Sequence, residues 1–570
     1  MARRQFYRDF FRTFRRGEDE RGRTAHSPSL PWKEVKIAPK QDKGTREKQA
    51  KRKTEMMASL ATAAFIHEGC QPYSLFPACL DHQFLCGQWQ RVAVWSWLGY
   101  CALMPMKQHP MPLPRIYLPV ETAARELDAK LLLALFLQCE GFPVVIGSHA
   151  QLHNTIHHHP PGIYIAHLFD HKKRRIFRIL RDLGHVIAAW DEEGLVWLSP
   201  EVYRRRRVDA TALSHVSRVY AWGRQQAEVL APVTSKTGTA VCITGNPRQD
   251  LYAPALRAMH KEVAAALRAR YGAFILINSN FGWINHARST NPGIEKSEEE
   301  LKAIATESRH PLGYIHFRYR MFHHFCTLVP TLARRFPERN IIIRPHPSEN
   351  REVWGTVGHG LDNVHVIYEH RLAPWLLAAG HILHNGCTTA VEAALLGRIP
   401  IEFRPEENPD FESPQPAAVS APARDIRDVE RYIESPDALE HLRPRVEQAL
   451  SGMVERWNDG LASQRIAKDL TAFAARQPSL TLSAPHSLAG QMRARMRAAE
   501  KWFLARFVKS SSSNPAYIRQ KFPPTEEAAI SGRLQRFAAL LGIDAPHVRT
   551  LDANIWLISP AEAENNGTEE

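Results

Sequence analysis

"IIIRPHPSEN", residues 341–350, runs three isoleucines into Arg-Pro-His-Pro-Ser-Glu-Asn. Consecutive β-branched apolar residues read as a strand buried on both faces, the pattern of a parallel sheet. The two prolines stiffen the exit and remove backbone donors, and an arginine and a histidine at that exit suit an anion. In a parallel sheet the carboxyl ends of all strands share one edge, where the following helices present unpaired N–H groups. The stretch therefore predicts an α/β fold with Arg344 and His346 turned toward a phosphate, and with Ser348 and Glu349 capping the next helix.

The same alternation appears on both sides. "RIYLPVE", "PVVIGS", "GIYIAHL", "HVIAAW", "VSRVYAWG" and "AVCITGNPR" read as strands, separated by helical stretches such as "ARELDAKLLLALFLQCEG", taken as amphipathic. A second series begins at "AFILINSNFG" and continues through residues 341–344, "NVHVIY", "HILH" and "IPIEF". Strands alternating with helices mean βαβ units. The expected architecture is two doubly wound Rossmann-type domains facing a cleft, residues 112–255 and 270–425, followed by a helical extension over 426–570. Residues 1–110 show no sustained period and read as a poorly ordered basic extension, or as upstream sequence ahead of a true start at Met104, Met106 or Met111.

The charge of +15 is concentrated in that extension: residues 1–54 hold 17 Lys/Arg against 7 Asp/Glu. The remaining chain is close to balanced, so composition gives no argument for nucleic acid. Eight cysteines without a C-x-x-C pair suit a reducing compartment. A twin arginine near the start is followed by charge rather than an apolar run. These features read as a cytoplasmic protein.

"NGCTTAVEAALLGRIP" (385–400) and "RPEEN" (404–408) also follow strands, so topology brings them to the edge that carries "RPHPSEN". Gly386 permits a tight turn and close backbone approach. Thr388 and Thr389 open a helix whose N-terminus can seat a phosphate, and Glu392 lies one turn in, where it can accept from a sugar hydroxyl. The plain alternative is a capped helix packed on a sheet.

Taken with "VCITGNPRQDLY", these motifs resemble the GT-B class of nucleotide-sugar enzymes. "VETAARELDAKLLLALFLQCEGFPVVIGS", "GHVIAAWDEEGLVWLSPEVYRRR", "YAWGRQQAEVL" and "FILINSNFGWINH" extend the resemblance to the bacterial surface carbohydrate biosynthesis proteins, glycosyltransferases related to capsule Kdo transferases and teichoic-acid polymerases. The resemblance covers roughly residues 112–470. It implies a nucleotide-activated donor in the second domain, CMP-linked by family analogy, and a surface-polysaccharide or lipid-linked acceptor in the first. Arg344, His346, Thr388 and Thr389 would hold the phosphate and Glu392 a hydroxyl. Asn278, Asn280, Asn246 and Arg248 would line the cleft. No D-x-D motif occupies a suitable loop, so neither metal nor cofactor is expected, and cations would stabilise the leaving phosphate.

On the acceptor side, "WDEEG" (190–194) offers Asp191, Glu192 and Glu193 as general base or nucleophile. A solvated acidic turn is the alternative, and Glu121 with Glu126 forms a second carboxylate set. His153 and His157 have i,i+4 spacing, but Pro-Pro-Gly follows and no further ligand completes a metal site. Phe317, Met321 and Phe325 read as a buried helical stripe. Residues 491–509 form a basic helix, with Met492, Met496, Ala499, Phe503 and Phe507 on one face, suited to an anionic lipid surface or to docking on the C-terminal domain. Two other functions fit the pattern: a nucleotide-sugar 2-epimerase of the same fold, and a non-catalytic nucleotide- or glycan-binding scaffold.

Overall fold

The structure, a computed structural model, describes residues 113–289, 291–369, 371–476, 487–508 and 513–560. The N-terminal extension, residues 1–110, lies outside the described residues.

The chain folds as α/β with two mainly parallel sheets. The first contains β1 (Arg115–Val120), β2 (Val144–Ser148), β3 (Gly162–Ala166), β4 (Val186–Ala189), β5 (Arg218–Ala221) and β6 (Ala240–Ile243). The second contains β7 (Ile275–Asn278), β8 (Ile341–Arg344), β9 (Val364–Val366), β10 (His381–His384), β11 (Ile401–Phe403) and β12 (Ala421–Ala423). Its order, β12-β11-β10-β7-β8-β9, reverses between β7 and β10, and the first sheet reverses between β1 and β3. Such reversals open a crevice at the carboxyl ends of the strands.

Near-continuous apolar runs form these strands because helices cover both faces. Ile116, Leu118 and Val120 pack with Val144 and Ile146 on one side of the first sheet, while Tyr117 and Val145 pack on the other. The helix Ala123–Cys139 departs from the amphipathic expectation, since every residue from Glu126 to Leu137 is buried. Its leucines are apolar around the whole circumference, and the helices Ala462–Ala474 and Glu527–Leu541 pack on it from the C-terminal region.

The C-terminal stretch thus returns to the first sheet. Glu455 N–H donates to Trp222 O at 2.7 Å as the chain crosses over. The backbone N–H groups of Ala462 and Ser463 donate to the buried carboxylate of Asp250 at 2.7 and 2.8 Å, which satisfies the helix start. Burial pushes this carboxyl up to about 6, against the hydrogen bonds from Ser463 and Ala462. The stretch is mainly helical, as expected, but ends in a hairpin that the pattern did not indicate. β13 (His547–Asp552) pairs with β14 (Ile555–Ser559), and β14 joins β2 antiparallel, with Trp556 opposite Ile146.

That hairpin covers an otherwise open strand edge, and Trp556 is 1% exposed beside Phe522. Replacing Trp556 with alanine is expected to cost about 3–5 kcal/mol. Urea unfolding followed by far-UV circular dichroism checks this; a loss below about 1 kcal/mol would mean that the hairpin is peripheral to the core.

Candidate active site

Backbone pairing sets the frame. Asn278 at the end of β7 is in register with Arg344 of β8 on one side and with His384 of β10 on the other, and His384 is in register with Glu402 of β11. Four polar residues therefore form one row across the carboxyl edge of the second sheet. A cavity of about 550 Å³ opens there, between this edge and the loop that follows β4.

Buried polar contacts brace the loops leaving the row. Glu349 is 3% exposed and accepts from the Phe281 N–H at 2.9 Å, His346 N–H at 3.2 Å, Ser279 Oγ at 3.0 Å and Trp354 Nε1 at 2.8 Å. It ties the β7 exit to the β8 exit, while Asn350 caps the next helix. The expectation that Glu349 is a helix cap is thereby corrected: its carboxylate is drawn inward by three donors from two loops and by Trp354 of the helix Arg351–Val357. Arg318, on the helix Leu312–Arg335, donates to the backbone oxygens of Asn280 and Asn385 and lies 5.0 Å from the Phe281 ring.

At the β10 exit, Gly386 has φ +79°, the left-handed region where a side chain would be strained. Its N–H donates to His384 Nδ1 at 3.0 Å. Burial lowers the His384 pKa to about 3, so the imidazole is neutral and acts as a fixed acceptor. Thr388 makes no side-chain cap bond to the helix Thr389–Leu395, so it is not serving as an N-cap. His346 Nδ1 lies 2.8 Å from Ser348 Oγ and 3.3 Å from the Ser348 backbone N–H. Acceptance from that N–H leaves Nε2 as the proton-bearing nitrogen.

The opposite wall is the acidic loop after β4, and its three carboxylates differ. Asp191 is fully buried: Arg207 holds both oxygens, and the Tyr203 hydroxyl donates at 3.0 Å. It stands outside the cavity lining, committed to internal partners. Glu192 accepts from Trp190 Nε1 at 2.8 Å and lies 3.3 Å from Lys130 Nζ, while its Oε2 is buried without a partner. Glu193 is the open one, with a side chain 54% exposed between Arg125 at 2.9 Å and Arg207 at 3.2 Å. Desolvation raises its pKa, but the Arg207 and Arg125 charges outweigh this and hold it below the ordinary carboxylate value.

Behind Glu192, Lys130 is buried and bonded to Glu126 at 2.8 Å and to the Pro119 carbonyl at 2.6 Å. Glu126 also accepts from the N–H groups of Glu121 and Thr122, so it anchors the helix start rather than reaching the cavity. Glu121 faces away, toward His167 at 3.0 Å and Lys521 at 2.5 Å.

Of the residues singled out from sequence, Asn278, Asn280, Arg344, His346, Gly386, Thr388, Thr389 and Glu392 line the cavity from the side of the second sheet. Glu192, Glu193 and Arg248 line it from the first. Asn246 does not; it caps the short helix Pro247–Asp250, accepting from Arg248 N–H at 3.0 Å. Arg248 bridges the walls, donating to Glu192 O at 2.9 Å and to Glu392 Oε1 at 3.1 Å. One oxygen of Glu392 is thus engaged across the cleft, where a sugar contact was expected.

Residues that sequence reasoning missed also line the cavity, namely Arg125, Arg318 and Glu402, together with Asn385 and Arg404 at the heads of two segments placed at this edge. Asn385 is 4% exposed, and among the described residues neither its amide atoms nor the buried Asn278 Nδ2 has a hydrogen-bond partner. Buried amides without partners are costly unless a ligand or water completes them. Glu402 had one legible signal, a carboxylate inside an otherwise apolar strand. Arg318 had none, because its helix reads as core. Phe317, Met321 and Phe325 are indeed buried there. Among the described residues, no cluster of histidine, cysteine, aspartate and glutamate has a geometry that could hold a metal ion, and His153 is bound to the Tyr164 hydroxyl.

No family model matches the chain, and no curated protein matches it. Solved structures similar to it include the wall teichoic acid polymerase TagF, with TM-score 0.40 and 9% identity, covering 64% of this chain and 90% of that one. A co-structure of S. aureus MnaA with UDP has TM-score 0.41 and 13% identity, covering 64% and 97%. A UDP-N-acetylglucosamine 2-epimerase has TM-score 0.43 and 10% identity, covering 64% and 96%.

Lys130 neutralises two buried carboxylates, so Lys130→Met leaves Glu192 without a cation and Glu126 with only Arg125, at 3.4 Å. The expected cost is about 3–5 kcal/mol at pH 7. Part of it returns at pH 5, because unpaired buried carboxyls have raised pKa values and the folded state then holds them protonated. Chemical denaturation at the two pH values checks this, and an equal loss at both would show that packing, not charge, is what the lysine supplies.

Proposed function

We propose that the protein is a metal-independent glycosyltransferase that takes a sugar from a nucleotide-activated donor. The observation that carries this reading is the polar row Arg344–Asn278–His384–Glu402 at the strand-order reversal, with unpaired Asn278 and Asn385 amides beside it. Arg344 and His346 contact the donor phosphate, with the Gly386 turn allowing close backbone approach. Thr388 and Thr389 supply hydroxyls at the same turn, and Asn278 and Asn280 complete the floor. Positive charge and N–H donors then stabilise charge developing on the leaving phosphate.

On the facing wall Glu193 is the base that accepts the proton of the acceptor hydroxyl. It is the carboxylate open to the cavity; Asp191 is enclosed by Arg207 and Tyr203, and Glu192 is held by Trp190 and Lys130. A second reading, a nucleotide-sugar 2-epimerase, is favoured by the Arg248–Glu392 bond, which closes the cleft over a small-molecule volume. An epimerase converts the donor without an acceptor.

The acceptor of a surface glycan is lipid-linked in this reading, and one surface fits a membrane. The helix Leu488–Phe507 docks not on the C-terminal domain, as expected, but beside the first sheet, through Gly490, Ala494 and an Arg493–Asp182 ion pair. Leu488 (81% exposed), Met492 (58%), Trp502 (68%) and Phe507 (60%) point outward, while Met496 and Phe503 of the face expected from sequence are half-buried. Arg495 and Arg506 are exposed on the same helix. Apolar side chains flanked by cations suit an anionic headgroup layer. No helix among the described residues is long and apolar enough to cross a membrane.

Thermal-shift titration with CMP, CDP, UDP and GDP is expected to show stabilisation by one of them, abolished in Arg344→Ala/His346→Ala. Glu193→Gln is expected to retain that stabilisation and to lose about 10²–10⁴-fold in transfer rate. Absence of stabilisation by any nucleotide sinks the donor reading and leaves the scaffold alternative. Epimerised sugar without acceptor selects the epimerase.

Vesicle sedimentation tests the lipid surface separately. Binding to phosphatidylglycerol but not phosphatidylcholine vesicles is expected, and Met492→Ser/Trp502→Ser should release it. Equal sedimentation of wild type and variant rules this face out.

A further inference from the structure

Glu402 is the middle residue of β11, a strand buried at all three positions, yet its carboxyl lines the cavity. It is 4% exposed. A side chain on Gly386 would begin 3.4 Å from Glu402 Oε1, so the carboxyl lies directly beneath the turn at which the phosphate is seated.

The nearest cation pairs with it only at long range, without a hydrogen bond. Arg404 Nε is 3.8 Å from Glu402 Oε2, and the Arg404 guanidinium makes two parallel bonds to Glu412, at 2.9 and 2.8 Å. No hydrogen bond from the described residues reaches the Glu402 carboxyl. A buried carboxylate left in this state is costly, and holding a proton removes most of that cost.

The surroundings favour the proton. Burial raises the Glu402 pKa to about 7, Arg404 opposes this, and the carboxylates of Glu412 and Glu407 add to it. On the turn above, burial pushes the Cys387 thiol up to about 11, so it is neutral. His384, in register beside Glu402, is neutral too. A charged carboxylate under a phosphate would repel it, whereas a carboxylic acid has an O–H to donate.

We propose that Glu402 is protonated when the donor binds and donates a hydrogen bond to an oxygen of the nucleotide phosphate seated at the Gly386 turn. The site then grips its anion with a neutral acid as well as with cations. This inference rests on the nucleotide-donor reading above. It adds a residue to the phosphate subsite and makes donor affinity fall as pH rises through neutrality.

The test is calorimetric titration of the full chain with whichever of CMP, CDP, UDP and GDP binds most tightly, at pH 6 and pH 8. The wild type is expected to lose about tenfold more affinity over this interval than Glu402→Gln, which keeps a neutral donor at every pH. The nucleotide's own titration is common to both proteins and cancels in the comparison. Wild-type titrations at pH 8 in two buffers of different ionisation enthalpy add a measurement that needs no variant; uptake of close to one proton per nucleotide bound is expected. Tight binding with no proton uptake, or with equal pH slopes in the two proteins, overturns the role of Glu402 and leaves the donor site standing. No nucleotide binding at either pH overturns both.

Discussion

The pairing of β7 with β8 on one side and β10 on the other is the constraint on which the site depends. Parallel ladders hold Asn278, Arg344 and His384 in register. The chain leaves β8 and β10 on opposite sides of that row, so a crevice opens between their exits. A crevice lined by loops is useful only if the loops keep their shape. Glu349 and Arg318 impose that shape, one by gathering N–H and O–H donors from two loops, the other by donating to two backbone carbonyls. The chemistry proposed for Arg344 and His346 is thus set by backbone pairing first and by buried hydrogen bonds second.

The two walls of the cleft handle buried charge in different ways. On the first wall each carboxylate meets a cation: Asp191 with Arg207, Glu126 and Glu192 with Lys130, Glu193 with Arg125. Opposite charges at short range offset the cost of burying these groups. On the second wall Glu402 has only Arg404, at 3.8 Å, whose guanidinium makes its hydrogen bonds to Glu412. Between the walls, Arg248 links Glu392 to the Glu192 backbone. One wall therefore pairs its carboxylates with cations, and the other holds an acid at the boundary of losing its proton. The contrast arises from who pairs with whom, since the residue types are the same.

Much of the architecture was legible because strands covered on both faces write themselves as apolar runs. "IIIR", "HILH" and "FILIN" end on polar residues, and a strand ending on polar groups declares which way its carboxyl edge lies. The residues picked at those ends converge on one cavity for that reason. The hairpin after residue 545 was not legible. "HVRTLD" alternates too weakly to announce a strand, and it becomes one by pairing with β14, which is itself laid on the open edge of β2. The helix Ala123–Cys139 was misjudged for a related reason: its apolar circumference makes sense only once two helices from more than 300 residues away cover it.

What the sequence determined by itself was therefore local and directional: the strand runs, the polar residues at their ends, and the tight turn that Gly386 permits. These follow from periodicity and backbone sterics, which act over a few residues. The tertiary structure alone decided the fate of each charge. Asp191, Glu192 and Glu193 are consecutive and chemically alike, yet one is enclosed by Arg207, one is pinned by Lys130 and one stands open to the cavity. Charge pairing acts through space with a strength set by distance and burial, and neither quantity is written in the order of the residues.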